Sequence, residues 1–180
     1  MKRTNALAAL AATAVLVATP ALAEKRVTIS NWTSPNHATS RGHAAYAEMT
    51  EAEFPDAFDL KLFTGGALLG PKPTLSGLRD GVADVGLLAL TYFRSEMPYA
   101  QLVADLALLG EDHYAMAGAT SEFVMLHCQP CKEEFAKNGM VALSGISTAP
   151  YVLLTTKPII DIADMQGVKL RTGGAVWDRW

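Results

Sequence analysis

The sequence predicts an α/β fold, and three observations carry that prediction. Val27-Thr28-Ile29-Ser30 and Phe58-Asp59-Leu60-Lys61-Leu62 alternate apolar and polar residues, the two-residue period of a half-buried strand. Between them Ala38, Gly42, Ala45, Met49 and Ala52 recur at steps of four and three, one face of a helix, which Pro55 ends. Val82 to Leu90 is apolar almost throughout and reads as a strand covered on both faces, as in a parallel sheet. With a short helix carrying Leu75 and Leu78 before it, the order is strand, helix, strand, helix, strand, which is that of an α/β layer.

The chain has 180 residues, enough for one domain of common size or one and part of a second. Its start reads as a secretory signal peptide over residues 1–23. Met1-Lys2-Arg3 is cationic, Ala6 to Val17 is apolar and uncharged, and Ala21-Leu22-Ala23 is a small-x-small cleavage signal. The apolar run is short for a bilayer span, no second candidate follows, and no Cys stands at the cut to take a lipid. Removing Lys2 and Arg3 takes the formal net charge from −3 to −5. That sign argues against nucleic acid or an anionic membrane as the main partner, and it leaves room for a small anion at a locally positive site.

The remaining elements follow in order. Asn31 to Asn36 is a polar loop containing Trp32. Thr64-Gly65-Gly66 to Gly70-Pro71 is a second loop, after which Thr74 is positioned to cap the short helix and Gly81 to end it. Thr91, Tyr92 and Phe93 leave the carboxyl end of the apolar strand, where open α/β sheets bind ligands, so Thr91 and Tyr92 are candidate site residues. Ala100 to Leu109 is apolar up to Gly110, Tyr114 to Leu126 reads as helix, and Lys132 to Lys137 continues as helix until Gly139. Met140 to Leu143 and Pro150 to Thr156 read as short strands, and Asp161 caps a helical piece from Ile162 to Gln166.

The stretch richest in chemistry is Gly167-Val168-Lys169-Leu170-Arg171-Thr172-Gly173-Gly174. It reads as a strand from Val168 to Arg171, two glycines, and the first turns of a helix from Ala175 to Trp180, with Trp177 and Trp180 at helical spacing. A guanidinium thus stands at a strand's carboxyl end, beside backbone that glycine lets a ligand approach. Arg holds a carboxylate through two parallel hydrogen bonds better than any other side chain. The plain alternative is a surface Arg at a strand end.

Other motifs are weaker. There is no Gly-x-Ser-x-Gly elbow, Walker loop, dinucleotide fingerprint or His-Glu-x-x-His helix, so no cofactor or catalytic metal is expected. Asn31-Trp32-Thr33 matches a glycosylation sequon of low information. His37 follows the first strand's exit loop and is a candidate ligand contact, whereas His43 on the helix reads as packed or solvated. Cys128 and Cys131 flank Gln129-Pro130, with His127 adjoining. Three readings stand: a structural disulfide in an oxidising compartment, a thioredoxin-like redox pair, or a zinc site that needs a further ligand. A redox pair should follow a strand and open a helix, and here a helical segment precedes it, so the disulfide is expected.

Taken together, these residues resemble the extracytoplasmic solute-binding proteins of TRAP transporters, of the C4-dicarboxylate type. The matching pieces, in the family's order, are the signal peptide, Phe63-Thr64-Gly65-Gly66-Ala67-Leu68-Leu69-Gly70, Leu78-Arg79-Asp80-Gly81-Val82-Ala83-Asp84-Val85-Gly86, Thr155-Thr156-Lys157-Pro158-Ile159 and Asp164 to Gly174. The resemblance implies a two-lobed periplasmic-binding-protein-like fold, with a first α/β lobe over 24–148 and a second begun over 149–180. The family is considerably longer, so a C-terminally truncated chain is expected. The resemblance also implies a periplasmic protein that is not an enzyme, captures a small organic acid and delivers it to membrane permease subunits. The family's carboxylate-gripping Arg falls on Arg171. Tyr151 stands where many members carry a second Arg, so the resemblance implies that one cation fixes the acid group. Trp32, His37, Thr91, Tyr92 and Tyr151 complete the expected lining. The rival reading, from a different class, is an exported thiol–disulfide oxidoreductase using Cys128 and Cys131.

Overall fold

The computed structural model describes residues 24–106, 110–148 and 151–173. The expected signal peptide, and the helix expected from Ala175 with Trp177 and Trp180, lie outside those residues. Strand β1 (Lys25–Ser30) is central in a three-stranded parallel sheet of order β2-β1-β3, with β2 spanning Phe58–Phe63 and β3 Val85–Gly86. Lys25 pairs with Phe58 and each following residue in step, through Ser30 with Phe63. Helix α1 (Ala38–Glu53) makes the crossover from β1 to β2, and α2 (Thr74–Arg79) the crossover from β2 past β1 to β3. The two connections run in opposite directions along the sheet, so right-handed crossovers put the helices on opposite faces. The packing agrees. Ala47 of α1 closes a cluster with Ile29 and Leu60, while Leu75 of α2 joins a second cluster with Phe93 and Met97.

The apolar run at Val82–Leu90 supplies a much shorter strand than its composition suggests. Its start is taken by the end of α2. Gly81 adopts φ 74°, its N–H donates to Leu78, and the Val82 N–H donates to Gly77, a left-handed helix cap. Val82 is consequently 48% exposed. Its end bends into a single 3-10 turn at Leu90–Tyr92. Between these, the Asp84 N–H donates to Thr28 O at 2.9 Å and its carboxylate accepts from Thr28 N at 2.8 Å, which locks the strand's register beside β1.

The second cluster takes Ala100 and Val103 from α3 (Pro98–Leu106), Val124 from the turn that follows α4 (His113–Glu122), and Cys128, Cys131 and Phe135 from the start and body of α5 (Gln129–Lys137). Glu134 of α5 ties two of these together. Its carboxylate accepts from the Tyr99 and Ala100 amides at 2.8 and 2.9 Å, placing a negative charge on the otherwise unpaired first turn of α3. The helix expected from Tyr114 to Leu126 is α-helical only to Glu122. Phe123–His127 then forms a wider π turn, closed by the Cys128 N–H donating to Phe123. Cys128 caps α5 and is joined to Cys131 by a disulfide.

Three expected strands have no sheet partner among the described residues. Met140–Leu143, residues 151–156 and Val168–Arg171 are not in a ladder, and Tyr151, Val152, Leu154 and Leu170 are exposed. An alternating apolar pattern marks a segment suited to a sheet, but a strand exists only where a neighbour supplies amides and carbonyls. Asp161 does cap the helical piece at Ile162–Met165, through a reciprocal box with Asp164. Thr74 is not a cap: it is the first helical residue, and its hydroxyl donates to Gly70 O at 2.6 Å.

Candidate functional site

In a sheet of order 2-1-3, the connections from β1 to β2 and from β2 to β3 run in opposite directions, and open α/β sheets bind ligands outside the carboxyl ends of the strands where the order reverses, here β1 and β3. The loops at that end are stitched to one another. Leu87 N donates to Ser30 O at 3.2 Å, and the Trp32 indole N–H donates to Leu87 O at 2.9 Å. Trp32 is thus half-buried across the β1 and β3 exits, with its indole donor spent on that bond. On the other side, Gly65 and Gly66, at φ 66° and 73°, turn the β2 exit back so that their amides donate to Thr33 O and Asn31 O.

A buried polar network fixes the β1 exit. The Asn31 side chain is fully buried, and its Oδ1 accepts from the Thr33 amide at 2.9 Å and the Thr33 hydroxyl at 2.8 Å. The Thr33 hydroxyl also meets Thr39 and Ser40, at 2.9 and 2.8 Å. Because a backbone N–H can only donate, Asn31 Oδ1 must face Thr33, and its Nδ2 then faces His43 Nδ1 at 3.2 Å. That nitrogen must accept, so His43 is neutral with its hydrogen on Nε2. Burial acts in the same direction and lowers the His43 pKa below the ordinary histidine range. The polar loop expected at Asn31 to Asn36 did not disclose this network, which depends on Thr39, Ser40 and His43 of α1 meeting the loop. The signal available was an Asn directly after a strand with Thr two residues on, the pattern of a side-chain turn.

The candidate residues fall into three groups. Thr91 and Tyr92 sit on the 3-10 turn at the β3 exit, both half-buried. The turn is rigidly seated: Phe93 is 5% exposed and Met97 fully buried, and Tyr92 itself packs against their cluster. Arg171 comes to this turn from the other end of the chain, its Nη2 donating to the Tyr92 hydroxyl at 3.2 Å. Tyr92 and Arg171 are therefore brought together, with Trp32 at the neighbouring strand exit. His37 has a local role: it caps α1, its Nδ1 accepting from the Thr39 amide at 3.3 Å and meeting the Thr39 hydroxyl at 2.9 Å. Tyr151 stands 60% exposed on the extended segment that follows residue 150.

The cysteine pair forms a separate feature. Cys128 is 7% exposed and Cys131 fully buried, and the Cys131 amide donates to Cys128 Sγ at 3.2 Å. A π turn, not a strand, leads into it. Among the described residues no group of three or more His, Cys, Asp or Glu is arranged to hold a metal ion, and no helix is long and apolar enough to cross a membrane.

Comparison with known proteins agrees with this architecture. An open TRAP periplasmic solute binding protein from Desulfovibrio salexigens shares the fold at a TM-score of 0.57 and 22% identity, over 63% of this chain and 34% of that one. A solute-binding protein from Albidiferax ferrireducens is 24% identical over 133 residues, which are 74% of this chain and 38% of that protein. The chain thus spans little more than a third of the length of either. Residues 29–178 match the family model for the bacterial extracellular solute-binding proteins, family 7 (DctP), and the chain belongs to that family.

Proposed function

We infer that this protein captures a small organic carboxylate in the periplasm and delivers it to the membrane permease subunits of a TRAP transporter, without chemistry on the ligand. The observation that carries the reading is the Arg171 guanidinium resting against Tyr92 outside the β1 and β3 strand ends. An exposed cation at the switch point of a parallel sheet is suited to an anionic ligand, and its planar fork to a carboxylate in particular. Membership of family 7 supports the transport half of the inference. Residues 24–148 act as the first lobe and 149–180 as the start of the second, and closure of the lobes around the acid removes it from water. Trp32 and Tyr92 supply aromatic surface, Thr91, His37 and Tyr151 line the approach, and Arg171 neutralises the acid. Within that class the sequence motifs resemble the C4-dicarboxylate type.

The thiol–disulfide reading has one feature in its favour, a cysteine at a helix N-terminus, and two against it: burial of both sulfurs and the absence of a leading strand. The test of the main reading is a melting-temperature screen against mono- and dicarboxylates, keto acids, aromatic acids and sugar acids. A rise with an acid, absent with its amide or alcohol, supports the inference. No rise with any acid, together with turnover in a disulfide-reduction assay, contradicts it.

A further inference from the structure

We propose that Tyr92 is the positioning residue for Arg171, and that phenol and guanidinium together form one mixed grip for a carboxylate. This rests on the carboxylate reading above and specifies how its cation is held. The argument begins with the difference between the two partners. Arg171 is exposed and lies on a segment with no sheet partner among the described residues, so its long side chain has many rotamers to lose on binding. Tyr92 has few: its ring is half-buried against the Phe93–Met97 cluster, on a turn closed by its own amide to Ala89 O and by Phe93 to Leu90 O. The fixed member therefore orients the flexible one.

The direction of the hydrogen bond matters as well. A guanidinium has donors only, so the Tyr92 oxygen accepts at 3.2 Å, and its own O–H remains directed elsewhere as a donor. The pair presents N–H and O–H donors side by side. A carboxylate can place one oxygen on each, or one oxygen on both. A phenol that accepts from a cation is also polarised toward donating. The resulting site carries one positive charge with two kinds of donor, where two arginines would supply two charges.

The test is phenylglyoxal modification of individual arginines in the full chain, read by peptide mass spectrometry, for the wild type and Tyr92→Phe. The substitution keeps the ring and its packing and removes only the hydroxyl. Loss of one hydrogen bond predicts modification of Arg171 about 2- to 12-fold faster, with the exposed Arg41 unchanged as an internal control of folding. Repeating the reaction with sodium acetate against sodium chloride at equal ionic strength gives the concentration that half-protects Arg171. That concentration is expected to rise by a similar factor in Tyr92→Phe. Equal Arg171 rates in the two proteins, or equal half-protection despite different rates, overturn the positioning role. Absence of acetate protection in both, with the rate difference intact, instead sinks the carboxylate reading and leaves the contact standing.

Discussion

The guanidinium of Arg171 donates to the hydroxyl of Tyr92 at 3.2 Å, across 79 residues of sequence. That contact joins the last described segment of the chain to the exit of β3, at the point where an open parallel sheet receives ligands. Arg171→Ala is expected to weaken binding of the acid by about 2–5 kcal/mol, since the ligand's charge is then enclosed without a partner. Arg171→Lys is expected to recover part of this, because an ammonium supplies charge without the planar fork. Calorimetric titration of both variants with the acid found in the melting screen measures the effect. Unchanged affinity in both removes Arg171 from the site.

Asn31 organises the β1 exit from a fully buried position. Asn31→Ala leaves the Thr33 amide and the His43 ring without their partner, which is expected to cost about 1–3 kcal/mol in urea denaturation. Because Trp32 and Thr33 lie on the same loop, ligand affinity is expected to fall with stability. A variant of wild-type stability would show that the network has alternative partners of equal quality.

His43 makes stability pH-dependent with a defined sign. Burial lowers its pKa in the folded protein. The unfolded chain therefore binds a proton first as pH falls below the ordinary histidine value of ~6.5, and folding must then exclude it. Its contribution is fully present above that value and is lost as pH drops through the folded-state pKa. Stability measured between neutrality and mild acid should decline, and His43→Gln should flatten the decline, since the amide oxygen can still accept from Asn31. A steeper decline in the variant would assign the effect to other groups.

The Cys128–Cys131 bridge closes a very short loop inside the helical cluster. Replacing both cysteines by serine is expected to lower stability by about 2 kcal/mol while leaving carboxylate binding intact. Buried as it is, the native bridge should resist reduced glutathione until denaturant opens the cluster. Rapid reduction in the native protein, together with disulfide-reductase activity that Cys128→Ser abolishes, would favour the oxidoreductase instead.

Much of the sheet was legible because its signals are local. The two-residue alternation around Ile29 and Leu60 and the helical spacing from Ala38 to Ala52 each describe one element and need no knowledge of the rest. The run from Val82 to Leu90 misled, since apolarity records burial without recording that a helix cap takes its first residue and a 3-10 turn its last. Val168 to Arg171 looks like a strand for the same reason, and pairing is not a local property. Placement by strand order brought Tyr92 and Arg171 into consideration separately. Their meeting depends on how two distant segments fold back, and nothing in either segment announces the other.

The most direct test is a crystal structure of the intact protein in complex with the acid that most raises its melting temperature. The account predicts the ligand carboxylate within hydrogen-bonding distance of the Arg171 guanidinium, about 2.7–2.9 Å, with the Tyr92 hydroxyl beside it. An acid bound elsewhere, with Arg171 directed into solvent, would contradict it.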